Sequence, residues 1–484
     1  MINRTQIAAN VLADHLGHWQ TGRGPLKVRL KNALVELVLS GALVNGDRLP
    51  PERGLASALA VSRNTVVAAY DLLREEGYLA TRRASGSTIQ FADAGKRVHE
   101  RRTHAIESTY GINNGSQGGG AIDFAVADIA LAAPFERYVR EFTPLLHRES
   151  YGAYGLAELR EAIAAYYDAR GVPTSPDEVL ITNGGQQAIS LAVSLYVQRG
   201  DAVAVQNPTF FVALDALRMA GARLTALPER AAENVLRETF IHGATRLAYV
   251  IPTHQNPTGY TMPAAERKSI AKIADDLGIP VLEDQVLDEL TYDGEAPAPI
   301  ASYSRGGTIV CAGSLSKVFW SGLRVGWVRA PAAVIARLAR IKTVTDLGNN
   351  IISQSIALPV FRDFDAIRAY RRAELREKLR FATALLDEHL PDWKYNTPAG
   401  GFCLWLTVPV ADVRPFVQIA RRFGVNIIAG TSMAIDESAV NNLRLVFSGP
   451  METTREGIHR LARAWQAFTA RGFAAPPAVK ELVV

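Results

Sequence analysis

From Ile122 onward, short apolar runs rich in β-branched residues alternate with longer stretches of helical periodicity, and this alternation most constrains the fold. Val179–Thr182, Ala202–Val205, Leu247–Ile251, Pro280–Leu282 and Thr308–Val310 read as buried strands, each closed by polar or small residues. Strands that alternate with helices pack as a layered α/β domain. In such a sheet the crevice outside the carboxyl ends of the strands is where ligands bind. The residues that close each strand therefore carry the functional information.

Five closures stand out. Asn183-Gly184-Gly185-Gln186-Gln187 follows the first strand, and a glycine pair at a strand-to-helix turn lets backbone N–H groups approach a phosphate. Taken alone, such a turn is usually only a turn. Asn207-Pro208-Thr209-Phe210 follows the second, where an aromatic could stack on a planar ring or simply join the core. The third ends in Pro252-Thr253-His254-Gln255-Asn256 and the fourth in Glu283-Asp284. The fifth runs into GSLSKVFWSGLRVGW, residues 313–327, which presents Lys317 between Ser314, Ser316 and Arg324. An amine lowered in pKa by burial or neighbours forms a Schiff base with an aldehyde, and Arg324 suits a bidentate phosphate contact. On this window alone a surface lysine on a serine-rich loop is an equal reading. Near the end, Arg444 sits in the otherwise apolar strand 442–448, and a buried arginine needs a partner such as a bound carboxylate.

The first quarter is different in kind. Residues 1–121 hold fifteen Lys and Arg against ten Asp and Glu, so the rest of the chain, with 38 of each, is neutral and the net +5 lies at the start. A modest basic bias of this sort favours a polyanionic partner. Leu26–Leu39 has helical apolar spacing, Pro50-Pro51-Glu52 opens a second helix, and Ser62 is an N-cap for a third that runs to about Glu76. A hairpin turns around Arg82-Arg83-Ala84-Ser85-Gly86. This is a winged helix-turn-helix, with Arg63, Asn64 and Thr65 placed for base edges and Arg53, Arg82 and Arg83 for phosphates. A small helical interaction domain with ordinary surface arginines fits the same geometry. Residues 92–121 combine a basic patch with a Gly- and Asn-rich run, a flexible tether that lets the small module move relative to the body.

Other sequence signals are mostly negative. Two cysteines, Cys311 and Cys403, indicate no disulfide framework. No signal-peptide order and no long apolar run is present, so a cytoplasmic protein with no membrane partner is expected. No residues are assigned to a metal.

Two resemblances sharpen this reading. RLPPERGLASALAVSRNTVVAAYDLLREEGYLATRRASGST closely resembles the GntR-family DNA-binding domain, with Pro51 standing where a serine is usual. The S-x-S-K segment with its following Arg-x-Gly resembles the lysine segment of fold-type I aminotransferases, and residues 122–470 follow that family in order and spacing. Asn256 lies 28 residues before Asp284, which lies 33 before Lys317. The resemblance implies pyridoxal phosphate as cofactor. Lys317 would form the Schiff base and Asp284 would pair with the pyridinium nitrogen. Asn256 would bond the phenolic oxygen, and Phe210 would stack on the ring. Gly184, Gly185 and Gln186, with Ser314 and Arg324, would hold the phosphate, and Arg444 an effector carboxylate. It also implies a homodimer, in which Tyr151 reaches the partner's phosphate.

One departure stands out. The family's tyrosine two or three residues after the aspartate is replaced by Val286 and Leu287, which should weaken transamination.

The combination resembles MocR-type regulators. The expected layout is a lead-in at 1–24, a winged helix-turn-helix at 25–91, a linker at 92–121 and an aminotransferase-like domain at 122–484. The last should comprise a large α/β sheet domain and a smaller C-terminal α+β domain. The implied function is a transcription factor that binds a double-stranded operator and senses an amino acid, an amine or the cofactor level through Lys317. An active aminotransferase carrying a DNA-binding domain is the alternative, and a scaffold without cofactor is disfavoured because Lys317, Asp284, Asn256 and Arg444 are all present.

Overall fold

A computed structural model describes residues 7–17, 19–20, 24–39, 42–43, 46–82, 86–90, 121–140, 152–227, 230 and 232–470. Arg83, Tyr151 and the expected linker lie outside them, as does the side chain of Arg82.

The first module is built from helices Ala9–His15, Leu26–Leu39, Glu52–Ala58 and Arg63–Glu75, followed by an antiparallel hairpin of β1 (Leu79–Arg82) and β2 (Gly86–Ile89). Leu30, Leu34, Leu55, Leu59, Val66, Tyr70 and Leu73 form its core, and the Tyr70 hydroxyl donates to the Pro50 carbonyl at 2.9 Å. Ser62 caps the fourth helix through its side-chain oxygen, which accepts the Thr65 amide at 3.1 Å. Pro51 precedes the third without a side-chain cap, as its chemistry requires.

The body holds two sheets. β3 (Ile122–Asp123) leads in and pairs with a late strand. The large sheet comprises β4 (Val179–Thr182), β5 (Ala202–Gln206), β6 (Arg223–Leu227), β7 (Thr245–Val250), β8 (Val281–Asp284), β9 (Ile309–Ser314) and β10 (Gly326–Arg329), in the order β4-β10-β9-β8-β7-β5-β6. Only β10 runs antiparallel to its neighbours. The carboxyl ends of β4, β5, β7, β8 and β9 therefore share one edge with the amino end of β10. Five of these strands are buried along all or nearly all of their length, which is why they read as continuous apolar runs rather than alternating ones.

The smaller domain is a four-stranded sheet of β11 (Lys394–Tyr395), β12 (Cys403–Thr407), β14 (Ile428–Ala429) and β15 (Asn442–Val446), while β13 (Val425–Asn426) pairs in parallel with β3. Helices Phe364–His389, Arg414–Arg422 and Met451–Thr469 cover it around an aromatic cluster of Trp393, Phe416, Trp465 and Phe468. Among the described residues no helix is long and apolar enough to cross a membrane.

The two halves touch, which the sequence does not lead one to expect of a module on a flexible tether. Helix Arg414–Arg422 turns Phe416, Val417, Ile419 and Ala420 inward and offers its polar side chains to the module. Arg422 donates to the Leu59 carbonyl at 2.7 Å and to the Gln20 side chain, Arg421 to the Gly17 carbonyl at 3.3 Å, and Gln418 reaches the Ala13 carbonyl at 3.5 Å. Ala60, in the turn between the third and fourth helices, joins the core of the smaller domain. Asp14 is half-buried beside this contact, and desolvation pushes its carboxyl up to about 6 against the pull of Arg421 and Arg414. Unpaired carbonyls at the end of a short helix are natural acceptors for such arginines.

Candidate functional site

The shared edge of the large sheet opens into a cavity of about 380 Å³ facing the smaller domain. Each closure foreseen in the sequence arrives there from a different strand. Lys317 follows β9, Asp284 ends β8, Asn256 follows β7 and Phe210 follows β5; all four line the cavity with Gly185, Gln186, Arg324 and Arg444.

Lys317 Nζ donates to the Ala127 carbonyl at 2.5 Å. Its pKa is lowered to about 8, chiefly by burial and then by the positive charges of Arg444 and Arg324, against the attraction of Asp128. Part of the population is therefore a free amine near neutral pH, the nucleophilic form. Asp284 moves the other way. Burial pushes its carboxyl up to about 6, although the Tyr249 hydroxyl donates to it at 2.7 Å and the Val286 amide at 3.1 Å. A cation placed against this carboxylate would hold it ionised.

Another part of the lining is a helix N-terminus beside Arg324. Gly184 adopts φ +81°, and Gly185 and Gln186 open helix Gly185–Tyr196, whose first N–H groups lack intrahelical partners. Arg324, itself at φ +56°, donates to the Asn183 carbonyl at 2.8 Å. A Cβ at Gly184 would lie 2.7 Å from its guanidinium, and one at Gly185 would lie 2.8 Å from Val286. These glycines let side chains close on the backbone.

Arg444 crosses from the smaller domain. It donates to Asn256 Oδ1 at 3.1 Å and to the Ala125 carbonyl, with its guanidinium 5.3 Å from the centre of the Phe211 ring. The aromatic face shields the cation beside the Asn256 side chain.

Not every expected residue reaches the cavity. Ser314 ends β9 with its hydroxyl 3.0 Å from Ser316 Oγ and 3.2 Å from the Val325 carbonyl, so it stands behind the wall that Ser316 lines. Gly184 likewise backs the helix N-terminus. Tyr249, the Ala127 carbonyl, Phe211 and Phe402 were not singled out in the sequence. Only Tyr249 gave a signal, a hydroxyl inside an apolar strand. On the first module, Arg53, Arg63 and Asn64 are exposed, and Thr65 Oγ1 lies 2.9 Å from Ser62 Oγ.

Among the described residues there is no group of three or more His, Cys, Asp and Glu that could hold a metal ion. An aldehyde-bearing, phosphorylated, planar cofactor fits the donor set: an amine, a buried carboxylate, an amide and a helix N-terminus with an arginine beside it. Comparison with known proteins agrees. Residues 146–461 match the family described as aminotransferase class I and II, and residues 26–89 match the bacterial regulatory proteins of the gntR family. The uncharacterized HTH-type transcriptional regulator YisV of Bacillus subtilis is 27% identical over 93% of this chain and 99% of its own. The probable rhizopine catabolism regulatory protein MocR of Rhizobium meliloti is 27% identical over 93% of this chain and 95% of its own. The solved α-aminoadipate aminotransferase LysN of Thermus thermophilus, complexed with N-(5'-phosphopyridoxyl)-L-leucine, is 26% identical with a TM-score of 0.66 over 73% of this chain and 94% of that one.

Proposed function

We propose a function from one premise: the chain belongs to the aminotransferase class I and II family and carries a gntR-family domain ahead of it. It is a DNA-binding transcriptional regulator whose aminotransferase-like domain holds pyridoxal phosphate and senses an amino acid, an amine or the cofactor level. The observation that carries this reading is the contact between the two halves. Arg444 of the cavity lies on β15, which pairs with β14; β14 and β13 pack beside helix Arg414–Arg422, whose Arg421 and Arg422 grip the first module. A ligand that draws Arg444 toward the large sheet thus acts on a rigid element joined to the turn before Ser62. The ligand shifts the equilibrium only by its differential contacts with the two positions of that element.

The cofactor, when bound, supplies an aldehyde that condenses reversibly with an amine. The chain's own groups do the rest. Lys317 offers an amine whose lowered pKa keeps part of it unprotonated. Asp284, oriented by the Tyr249 hydroxyl, would hold a proton on the ring nitrogen. Asn256 would donate to the phenolic oxygen, Phe210 would pack on the ring face, and the amides of Gly185 and Gln186 with Arg324 would take the phosphate, backed by Gly184 and Ser314. Arg444 takes the effector's carboxylate. On the first module, Arg63, Asn64 and Thr65 read bases, while Arg53 and the wing arginines Arg82 and Arg83 meet phosphates. The units run about 1–24, 25–91, 92–121 and 122–484.

A homodimer with a paired operator fits the surface. Val344, Leu347 and Ile352 are 90%, 53% and 45% exposed around the junction of helices Ala332–Asp346 and Ile351–Arg362, an apolar patch suited to a second copy. In that arrangement Tyr151 contacts the partner's phosphate.

The test is the visible spectrum of the purified protein. A band lost in Lys317→Ala, and shifted by one amine without product, supports the sensor. Catalytic release of keto acid supports instead an active aminotransferase, the reading favoured by the intact Lys317–Asp284–Arg444 set and disfavoured by Val286 and Leu287 in place of a phenol. Absence of a band even with added cofactor sinks both.

A further inference from the structure

The cavity wall also bears on which amino acid is sensed, an inference that rests on the pyridoxal phosphate reading above. The glycine turn, Phe210, Asn256, Asp284, Lys317 and Arg324 are committed to the cofactor. Val286 is packed against Gly185 behind it. The lining left for an effector's side chain is Ala127, Ile189, Phe211, Val212, Ile251, Leu287, Phe402 and Ser316. Only Ser316 among them carries a polar group, a hydroxyl already bonded to Ser314 Oγ at 3.0 Å, and none carries a charge.

Two of their backbone carbonyls are also engaged. Ala127 O accepts from Lys317 Nζ, and Phe402 O accepts the Phe447 amide at 3.0 Å. The Phe402 ring centre lies 5.4 Å from Lys317 Nζ, so this ring stands over the reacting amine. Three cations line the cavity among the described residues, and all three are spoken for, Lys317 by the aldehyde, Arg324 by the phosphate and Arg444 by one carboxylate. A second carboxylate would find no cation, and the acid Asp128, next to Ala127, already acts on Lys317. A diamine, conversely, would leave Arg444 without the anion it is placed for.

We infer that the effector is an α-amino acid with a single carboxylate and an uncharged, apolar or aromatic side chain, selected by the wall of Ala127, Phe211, Val212, Leu287 and Phe402. Burying an apolar side chain there removes apolar surface from water, whereas burying a second charge leaves it without a partner.

The test titrates the cofactor-loaded, full-length protein with L-leucine, L-phenylalanine, L-aspartate, L-glutamate and putrescine, read by the visible band and independently by calorimetry. L-Leucine or L-phenylalanine should half-saturate the response at least ~tenfold below either dicarboxylate, with putrescine weaker still. A dicarboxylate or putrescine that binds equally well overturns the assigned class while leaving amine sensing in place. No response to any of the five overturns the class and the sensing of amino acids and amines with it, leaving only the cofactor level as the signal. In Val212→Arg the preference should move at least ~tenfold toward L-glutamate; unchanged preference means that this wall does not select. Leu287→Arg serves the same purpose if the first variant fails to load cofactor.

Discussion

The module that faces DNA and the cavity that faces the cofactor solve opposite problems. The winged helix gathers its working residues within about forty positions of sequence and displays them on the outside of a self-contained core; Arg53, Arg63 and Asn64 are solvent-exposed. The cavity collects residues from Ala127 to Arg444 and buries their charges, so that Lys317 falls to about 8 and Asp284 rises to about 6. A polyanion can be met by exposed cations because the counterions released supply the driving force. A covalent aldehyde partner needs a desolvated amine, and desolvation needs an interior assembled from distant strands. Exposure suits recognition, and burial suits chemistry.

That contrast can be broken from either side. The largest effect is expected for Lys317→Ala, which should abolish the cofactor's visible band while leaving affinity for duplex DNA intact; loss of both would mean that the two regions do not work separately. Asp284→Asn should weaken cofactor binding by about ten- to a hundredfold, the worth of a hydrogen bond to a charged group, measured by equilibrium titration of the band. On the exposed side, Arg63→Ala should cost about 1–3 kcal/mol of base discrimination, whereas Arg53→Ala should weaken all sequences alike and flatten the salt slope by about one unit. A footprint showing the reverse assignment would exchange their roles.

Acidity offers a subtler probe. Because Lys317 has its amine lowered to about 8, the rate of cofactor capture should climb as pH rises toward 8 and level off above it, about tenfold per pH unit on the rising limb. An unperturbed surface lysine would keep climbing past pH 10. The sign for stability follows the same groups. In the cofactor-free protein a buried ammonium is unfavourable, so the unfolded chain holds more protons between about 8 and 10.5 and stability should rise with pH across that window. Asp284 acts between 3.8 and about 6, where the folded state holds the extra proton and stability should fall as pH rises. The smallest effect is expected for Arg422→Ala, which removes the bonds to Leu59 and Gln20 and should raise amide exchange of residues 52–60 a few-fold without altering the band.

Much of both regions was legible in the sequence because their identities lie in short strings. Ser62 and Thr65 announce a cap, and the strand ends at Asn256, Asp284 and Lys317 announce a crevice once the sheet is known to be parallel. What escaped was every relation across strands. Tyr249 reaches Asp284 from the neighbouring strand β7, and the Ala127 carbonyl meets Lys317 across 190 positions of sequence. The resemblance assigns Ser314 to the phosphate, yet Ser316 is the hydroxyl that lines the wall, since a shift of two residues decides which meets Val325. The grip of Gln418, Arg421 and Arg422 on the first module was hidden for another reason. Polar side chains on the outer face of a helix read as solvated, and nothing in their spacing says that a second domain covers them.

The same grip sets an order of events during synthesis. Gly17 and Leu59 leave the ribosome some 360 to 400 residues before the arginines that hold them, an interval of roughly 20–80 s at ordinary elongation rates. Throughout that interval the first module, whose core draws on residues 7 to 89 alone, has everything it needs to fold and nothing to govern it. A nascent or truncated chain would therefore carry a folded first module before the smaller domain exists to hold it. The contact arrives last, with the carboxyl-terminal fifth of the polypeptide.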